Sequence, residues 1–217
     1  MTMPASTLRP VEVAPEEHSE KRSQILKGAT EVFMAKGFDA ASMGEIARVA
    51  GVSKGTLYVY FEDKEKLFEA IVQEACRVQA EHVFDLDPND HDIETVLTRT
   101  GIAYGTVMCR PEGISALRTV VAIAARMPDL GRIFYETGPN DGVRKLTEYL
   151  KAQVNAGVLV IEDCEVVATQ FIDALTATTF KPMLFNFDAP TEQRIAYVVK
   201  IAVRAFIAAY GLSLIHI

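Results

Sequence analysis

The segment from Ser42 to Phe61 constrains the fold more than any other, because it contains two helix starts separated by a tight turn. Ser42 is a predicted N-cap, and Glu45 three residues later has the spacing of a capping box. Gly51 ends the first helix, and Ser53 is the predicted N-cap of the second. Two short helices joined by a glycine-containing turn form a helix-turn-helix, so the sequence predicts this motif.

The charge of this segment differs from that of the whole chain. The 217 residues carry a formal net charge of -7, yet no acidic residue lies between Glu45 and Glu62, where two basic residues do lie. Residues 19–68 contain eight Lys and Arg against seven Asp and Glu, whereas residues 69–217 contain thirteen against nineteen. An anion-binding surface is therefore expected in the first third of the chain and not over the whole protein.

The second helix of the motif has one apolar face and one polar face. Leu57 and Phe61 lie one turn apart and are predicted to pack toward the core. A helix held in this way can present its other face to the major groove or to the phosphates of DNA. A small polar-faced helix in an ordinary bundle, with its tyrosines half buried, would show the same spacing, so spacing alone leaves both interpretations open.

The stretch ILKGATEVFMAKGFDAASMGEIARVAGVSKGTLYVYFEDKEKLFEAIV closely resembles the DNA-binding domain of TetR-type transcriptional regulators. The resemblance covers residues 20–72 without a gap and includes the runs Ala50-Gly51-Val52-Ser53 and Gly55-Thr56-Leu57-Tyr58. It implies a DNA-binding site with two kinds of contact. The residues that would hold phosphates are Ser42, Ser53, Thr56, Tyr58 and Lys64. Those nearest the bases would be Lys54 and Tyr60.

From Ser19 onward, apolar residues recur with helical spacing, and no strand run is closed by a hairpin turn. The sequence therefore predicts an all-α chain, with an N-terminal three-helix helix-turn-helix domain followed by a larger α-helical bundle for ligand binding and dimerisation. The predicted DNA-binding domain is residues 19–66, and the predicted bundle is residues 67–211. Residues 1–18 are predicted to form a disordered arm, and residues 212–217 a non-native tail.

Residues 126–150, RMPDLGRIFYETGPNDGVRKLTEYL, also resemble the ligand-binding part of the AefR-like subgroup of the TetR family. A small ligand needs an apolar pocket with a few polar groups, and several bundle residues have the required character. The predicted pocket residues are Tyr104, Arg118, Phe134, Gln170 and Thr176. Any one of them could instead be a surface or capping residue.

The last two predicted helices carry apolar stripes with three- and four-residue spacing. Each stripe is wider than one neighbouring helix needs, which favours a four-helix seam between two copies of the chain. The residues predicted for this homodimer interface are Phe171, Leu175, Ile195, Val199, Ala202 and Phe206. The same stripes would also suit an intramolecular core.

No metal site, cofactor or catalytic centre is predicted. Asp90, His91 and Asp92 offer metal-ligand side chains, but adjacent loop residues seldom converge on one ion, so a solvated loop is favoured. The three cysteines form no CxxC pair and are expected to be buried in a protein of the reducing cytoplasm. No apolar run reaches the ~18 residues of a membrane span, so no membrane association is expected.

Two functions are compatible with these features. The leading hypothesis is a bacterial, cytoplasmic, homodimeric repressor that binds a pseudo-palindromic operator in double-stranded DNA and leaves it when an unidentified, largely apolar effector binds. The alternative is a helix-turn-helix DNA-binding protein regulated by protein partners instead of a small molecule. An enzyme is not predicted, because the sequence contains no nucleophile–base or phosphate-loop motif.

Overall fold

The structure of the protein, a computed structural model, describes residues 15–212. The predicted arm and tail therefore lie outside the described residues, apart from residues 15–18 and Leu212. Within this range the chain is helical, and one isolated antiparallel bridge joins Leu159 to Gly211 without any longer strand. The predicted all-α class is confirmed.

The helices follow one another along the chain as α1 (Pro15–Ala40), α2 (Met43–Val49), α3 (Lys54–Tyr60), α4 (Lys64–Val83), α5 (Ile93–Met108), α6 (Pro111–Ala124), α7 (Pro128–Thr137), α8 (Pro139–Asn155), α9 (Cys164–Thr176), α10 (Phe180–Met183) and α11 (Glu192–Tyr210). None of these helices is both long enough and apolar enough to cross a lipid bilayer.

Proline and glycine set several helix boundaries. α1 begins at Pro15, before the helical spacing that the sequence shows from Ser19 onward, and the fixed φ of proline suits the first turn of a helix. Gly37 breaks the same helix near its end, with a φ of 77° that few other residues adopt. The Gly138–Pro139 step also interrupts the helical pattern, since α7 ends at Thr137 and α8 begins at Pro139.

The chain divides into two compact units whose boundary lies between Ile71 and Val72, inside α4. The sequence placed the boundary after residue 66, near the start of this helix. Because α4 is continuous from Lys64 to Val83, its first turns belong to the first unit and the remainder belongs to the second.

The core of the first unit lies behind α2 and α3. Ile46 of α2 and Leu57 of α3 are fully buried. The rings of Phe33, Phe38 and Phe68 pack against one another with centroids 5.1 to 5.8 Å apart. Burial of such large apolar side chains stabilises the short helices α2 and α3, which are too short to be stable alone.

Gly28 allows α1 to approach the end of α2 closely. A Cβ atom added at Gly28 would lie 2.6 Å from the Cα atom of Ala50, far closer than side-chain carbons approach backbone. Gln24 holds the same point, because its Nε2 donates a 2.7 Å hydrogen bond to the Ala50 carbonyl. The end of α2, and hence the turn that leads to α3, is fixed by α1.

The core of the second unit forms where α9 and α11 pack on α5. Gly101 and Gly105 of α5 make this approach close: added Cβ atoms would lie 2.9 Å from Val199 Cγ1 and 2.7 Å from Ile195 Cγ2, respectively. Helix backbones can come this near only where one of them carries no side chain.

This core contains the residues that were predicted for the dimer interface. All six of the predicted residues are at most 9% exposed within a single chain. They are Phe171, Leu175, Ile195, Val199, Ala202 and Phe206. Their apolar stripes face α5 and each other, because the glycine-lined face of α5 supplies the intramolecular partner that the sequence pattern did not reveal.

Candidate nucleic-acid interface

The turn between α2 and α3 is closed by local hydrogen bonds. Gly51 adopts a φ of 67°, the left-handed conformation that ends α2. The Val52 amide then donates to the Ala47 carbonyl at 2.9 Å, and the Ser53 Oγ accepts from the Thr56 amide at 3.0 Å. The predicted helix-turn-helix is therefore present, with the turn and both helix starts formed as the sequence indicates.

The outward face of α3 is unusual for a protein surface. Leu57 on its inner face is fully buried, whereas Tyr58 is 54% exposed and Val59 is 76% exposed. Lys54 and Gly55 are also exposed at the start of the helix. This face therefore combines a cation, an aromatic hydroxyl and an apolar side chain, without a carboxylate.

The serines predicted to hold phosphates serve as helix caps. Ser42 Oγ accepts from the Glu45 amide at 3.3 Å at the start of α2. Ser53 Oγ lies 2.8 Å from Thr56 Oγ1 at the start of α3. Ser53 is exposed and Thr56 is half buried, so the cap of α3 also remains accessible to a ligand.

The two residues predicted to lie nearest the bases have different surroundings. Tyr60 is half buried beneath the outer face of α3. Lys54 is exposed, but its side chain crosses to α2, where its Nζ lies 3.1 Å from the position of a Cβ at Gly44. The Lys54 charge thus lies between the first turns of the two helices.

Lys64 is placed differently from the prediction. Its Nζ donates to the carbonyls of Phe38 at 2.8 Å, Asp39 at 3.3 Å and Ala41 at 3.3 Å. It also lies 4.4 Å from the centre of the Phe38 ring. An ammonium group has three donors, so these carbonyls use its hydrogen-bonding capacity, and the structure gives Lys64 an internal role that spacing could not show.

The acidic residue nearest the interface is neutralised by basic neighbours. Lys36 Nζ lies 2.7 Å from Glu45 Oε1, and Arg48 Nη2 lies 3.9 Å from the same oxygen. Exposed ion pairs of this kind stabilise the fold only weakly, but they reduce the negative charge beside α3.

The five predicted ligand residues of the second unit do not share one environment. Tyr104 packs on Phe84 with ring centroids 5.7 Å apart, and burial, followed by the Asp173 charge, raises the pKa of Tyr104 to about 12. Arg118 donates to the Met183 carbonyl, and Phe134 is half buried on α7.

The other two lie on opposite sides of α9. Gln170 is exposed and lines an open surface depression with Asp163 and Thr169. Thr176 is buried, and its hydroxyl donates to the Asp173 carbonyl at 3.1 Å, so that group is already satisfied within its own helix. The predicted set is therefore not supported as a single pocket, because helical phase separates Gln170 from the core.

A polar network that the sequence did not predict holds the loop before α5. Gln153, fully buried on α8, donates from Nε2 to the Pro88 carbonyl at 2.8 Å, and its Oε1 lies 2.7 Å from His91 Nδ1. Tyr149 donates to the Asp90 carbonyl at 2.8 Å. A buried glutamine on an otherwise apolar helix face was the only signal for this contact.

The loop and the cysteines show no metal-binding arrangement. His91 hydrogen-bonds to an amide oxygen, and the described residues contain no group of three or more His, Cys, Asp or Glu side chains that could hold an ion. Burial raises the pKa of the Cys76, Cys109 and Cys164 thiols, so they stay protonated and unreactive near neutral pH.

Two family models match the chain. The one described as bacterial regulatory proteins of the tetR family matches residues 25–71. The one described as the C-terminal domain of AefR-like transcriptional repressors matches residues 95–212, which is more than half of the chain. The first match contains α2, the turn and α3, and the second contains most of the core of the second unit.

Similar proteins extend these matches. The transcriptional repressor BepR of Brucella suis is 37% identical over 75 residues, which are 35% of this chain and 36% of BepR. The chain spans less than half the length of the curated relatives that it matches.

Solved structures are similar over most of the fold. A TetR-family transcriptional regulator from Mesorhizobium loti has a TM-score of 0.79 and 26% identity, covering 89% of this chain and 98% of that one. The flavonoid-responsive regulator FrrA has a TM-score of 0.77 and 27% identity, covering 90% and 99%.

Proposed function

Because the chain belongs to the TetR family of bacterial regulatory proteins, we propose that it is a sequence-specific transcriptional repressor, and not an enzyme, that acts on double-stranded DNA in the cytoplasm. The observation that carries this proposal is the outward face of α3, which is exposed, carries Lys54 and Tyr58, and lies in a segment without carboxylates between Glu45 and Glu62.

The dimensions of α3 suit a major groove. An α-helix with its side chains is about 10–12 Å in diameter, which matches the ~12 Å width of the major groove. Tyr58 and Lys54 would contact base edges or phosphates, while the capping hydroxyls of Ser42 and Ser53 would contact phosphates at the groove margins. The buried Leu57 and the fixed turn hold these groups in place before DNA binds, which lowers the entropic cost of binding.

A homodimer would use the outer faces of α9 and α11. Val166 is 50% exposed on α9, and Tyr197 and Ile201 are 57% and 40% exposed on α11. Ala174 and Ala205 are exposed on the same two helices, and small residues at these points allow a second copy to approach closely. A two-fold dimer matches a pseudo-palindromic operator, because each α3 reads one half-site.

A small, largely apolar ligand would release the repressor by changing the second unit. FrrA is named for its response to flavonoids, so planar aromatic compounds of this class are the first to screen against this chain. α4 belongs to both units. A ligand that shifts the C-terminal part of α4 would therefore also move the first turns of the same helix, which begin at Lys64 in the first unit.

Selection from a random double-stranded DNA library tests the proposal. The full chain should enrich a pseudo-palindrome, protect both half-sites in a footprint, and bind more weakly as salt rises, with a slope of about -0.9 per phosphate contacted. Lys54→Ala should weaken operator binding by about 1–3 kcal/mol, whereas the control Lys27→Ala, an exposed lysine on α1, should not. Failure to enrich any sequence would overturn the proposed function.

A further inference from the structure

Val59 is the most exposed large apolar side chain among the described residues of the first unit. It is 76% exposed, compared with 54% for Tyr58 and 49% for Met34. Its neighbours in the helix, Leu57 and Phe61, are at most 6% exposed and supply the packing that holds α3. Val59 therefore contributes little to the core.

Val59 also has a low intrinsic propensity for the helical conformation. A β-branched residue loses side-chain freedom in a helix, and an exposed position gives no packing in return. Alanine or lysine at this place would favour a helix of only seven residues. The valine therefore opposes local stability without improving the core.

Gly55, one helical turn before Val59, also lowers the stability of the helix without any benefit to the core. Glycine inside a helix costs roughly 0.5–1 kcal/mol relative to alanine. An added Cβ at Gly55 would meet only Ser53 Oγ, at an ordinary 3.7 Å, whereas one at Gly28 would collide with Ala50. Internal packing therefore does not require Gly55, although it does require Gly28.

Gly55 and Val59 together form a bare apolar strip along the outer face of α3. Side chains in a helix lean toward its N-terminus, so the Val59 methyl groups lie over the turn that contains Gly55. A flat partner can approach the helix backbone at Gly55 and meet the Val59 methyls beside it. The strip has no hydrogen-bonding side chain of its own.

We propose that Val59 is a specificity-determining residue that contacts the 5-methyl group of one thymine in each half-site, and that Gly55 lets this base pair approach α3. The inference rests on the proposed function. The thymine methyl is the apolar group that bases present in the major groove, and a valine can recognise it without a hydrogen bond. A guanine or adenine edge would gain nothing from this side chain.

The test replaces each thymine of the selected operator by uracil, which removes only the methyl group. Affinity is measured by fluorescence anisotropy at one salt concentration. For the wild-type chain, one uracil in each of the two half-sites should weaken binding about 10- to 25-fold, because each half-site loses one buried methyl group and each loss weakens binding about three- to fivefold. Val59→Ala should lose a similar factor on the thymine operator and become insensitive to uracil at that position.

Three further variants separate contact from folding. Val59→Thr keeps one of the two methyl groups and should retain most of the uracil sensitivity. Gly55→Ala should weaken binding while leaving the melting temperature unchanged or higher, because its Cβ has space inside the protein but blocks the base pair. Val121→Ala, a matched control at a valine 66% exposed on α6, should change neither property.

The outcomes are distinguishable from failure of the proposed function. If the chain selects an operator but Val59→Ala keeps the wild-type sensitivity to uracil, this inference is wrong and the proposed function as a repressor still stands. The inference is also contradicted if replacing the thymines by uracil, one position at a time, never changes the affinity for the operator. If no operator is selected at all, both are overturned.

Discussion

At the scale of single residues, Lys64 shows how one charge can hold a loop. Its ammonium group donates to three carbonyls at the end of α1 and in the segment that leads to the Ser42 cap. A phosphate contact and this internal contact need the same residue type at the same position, so the resemblance to a family could not choose between them.

Lys64→Met should therefore act first on stability. Methionine keeps most of the apolar stem but leaves the carbonyls of Phe38 and Ala41 without their donor. We expect the free energy of unfolding to fall by about 1–2 kcal/mol, measured by urea denaturation. The control Lys27→Met on the exposed face of α1 should change it by less than ~0.5 kcal/mol. Equal effects of the two substitutions would show that the carbonyl contacts contribute little.

At the scale of helices, the close contact of α5 with α11 depends on two glycines. Gly105→Ala adds a Cβ atom 2.7 Å from Ile195 Cγ2. The resulting overpacking costs about 1–3 kcal/mol, which exceeds the ~1 kcal/mol that alanine gains in helix propensity. We expect a net loss of stability and a lower melting temperature.

Gly113→Ala is the matched control, because an added Cβ there would lie 4.0 Å from its nearest neighbour, the Val107 carbonyl oxygen. This substitution should raise the melting temperature slightly, since its only effect is the higher helix propensity of alanine relative to glycine. The prediction is contradicted if both substitutions shift the melting temperature in the same direction.

The helices also show what the sequence could predict and what it could not. The capping residues Ser42 and Ser53 correctly predicted the starts of α2 and α3, because such signals act within a few residues. The stripe through Ile195 and Val199 was predicted to form a dimer interface, and in the structure it is already buried within the single chain. Its partner could not be predicted, since an apolar stripe suits α5 of the same chain as well as a second copy.

The candidate nucleic-acid interface likewise has features that the sequence could predict and features that it could not. The turn at Gly51 and the cap at Ser53 follow from local chemistry and were predicted. The exposure of Val59 was not predicted. Spacing marks the apolar positions of a seven-residue helix, but it does not show which of them the surrounding helices cover. The surroundings of the five residues predicted for the pocket could not be predicted for a related reason: hydrogen bonds to backbone carbonyls, as at Arg118, have no sequence pattern.

At the scale of the whole molecule, dimerisation can be tested on the outer face of α11. Ile201 is 40% exposed, so Ile201→Asp should leave the single chain folded. Two carboxylates would then be buried without partners at the two-fold interface, at a cost of about 2–5 kcal/mol. We expect a monomer by light scattering at micromolar concentration, together with loss of operator binding. Val121→Asp on α6 is the control and should remain dimeric. A dimeric Ile201→Asp variant would place the interface elsewhere.

Ligand release can also be tested on the whole molecule. A coupling of ~1–3 kcal/mol between ligand and operator changes operator affinity about 5- to 150-fold. Coupling is reciprocal, so operator DNA must weaken ligand binding by the same factor. Titrating a flavonoid-class hit with and without operator DNA measures both factors. Equal ligand affinity in the two titrations would mean that the compound is not an inducer, and regulation by a protein partner would then gain support.

The contact of α5 with α11 also sets an order of events during protein synthesis. Translation proceeds at roughly 5–20 residues per second, so α5 leaves the ribosome on the order of ten seconds before α11 exists. During that time the face of α5 that carries Gly101 and Gly105 has no α11 to cover it. The first unit joins helices that are close in sequence and can fold in this interval. A nascent chain stalled before Thr191 should therefore carry a protease-resistant first unit and a second unit that chaperones must shield.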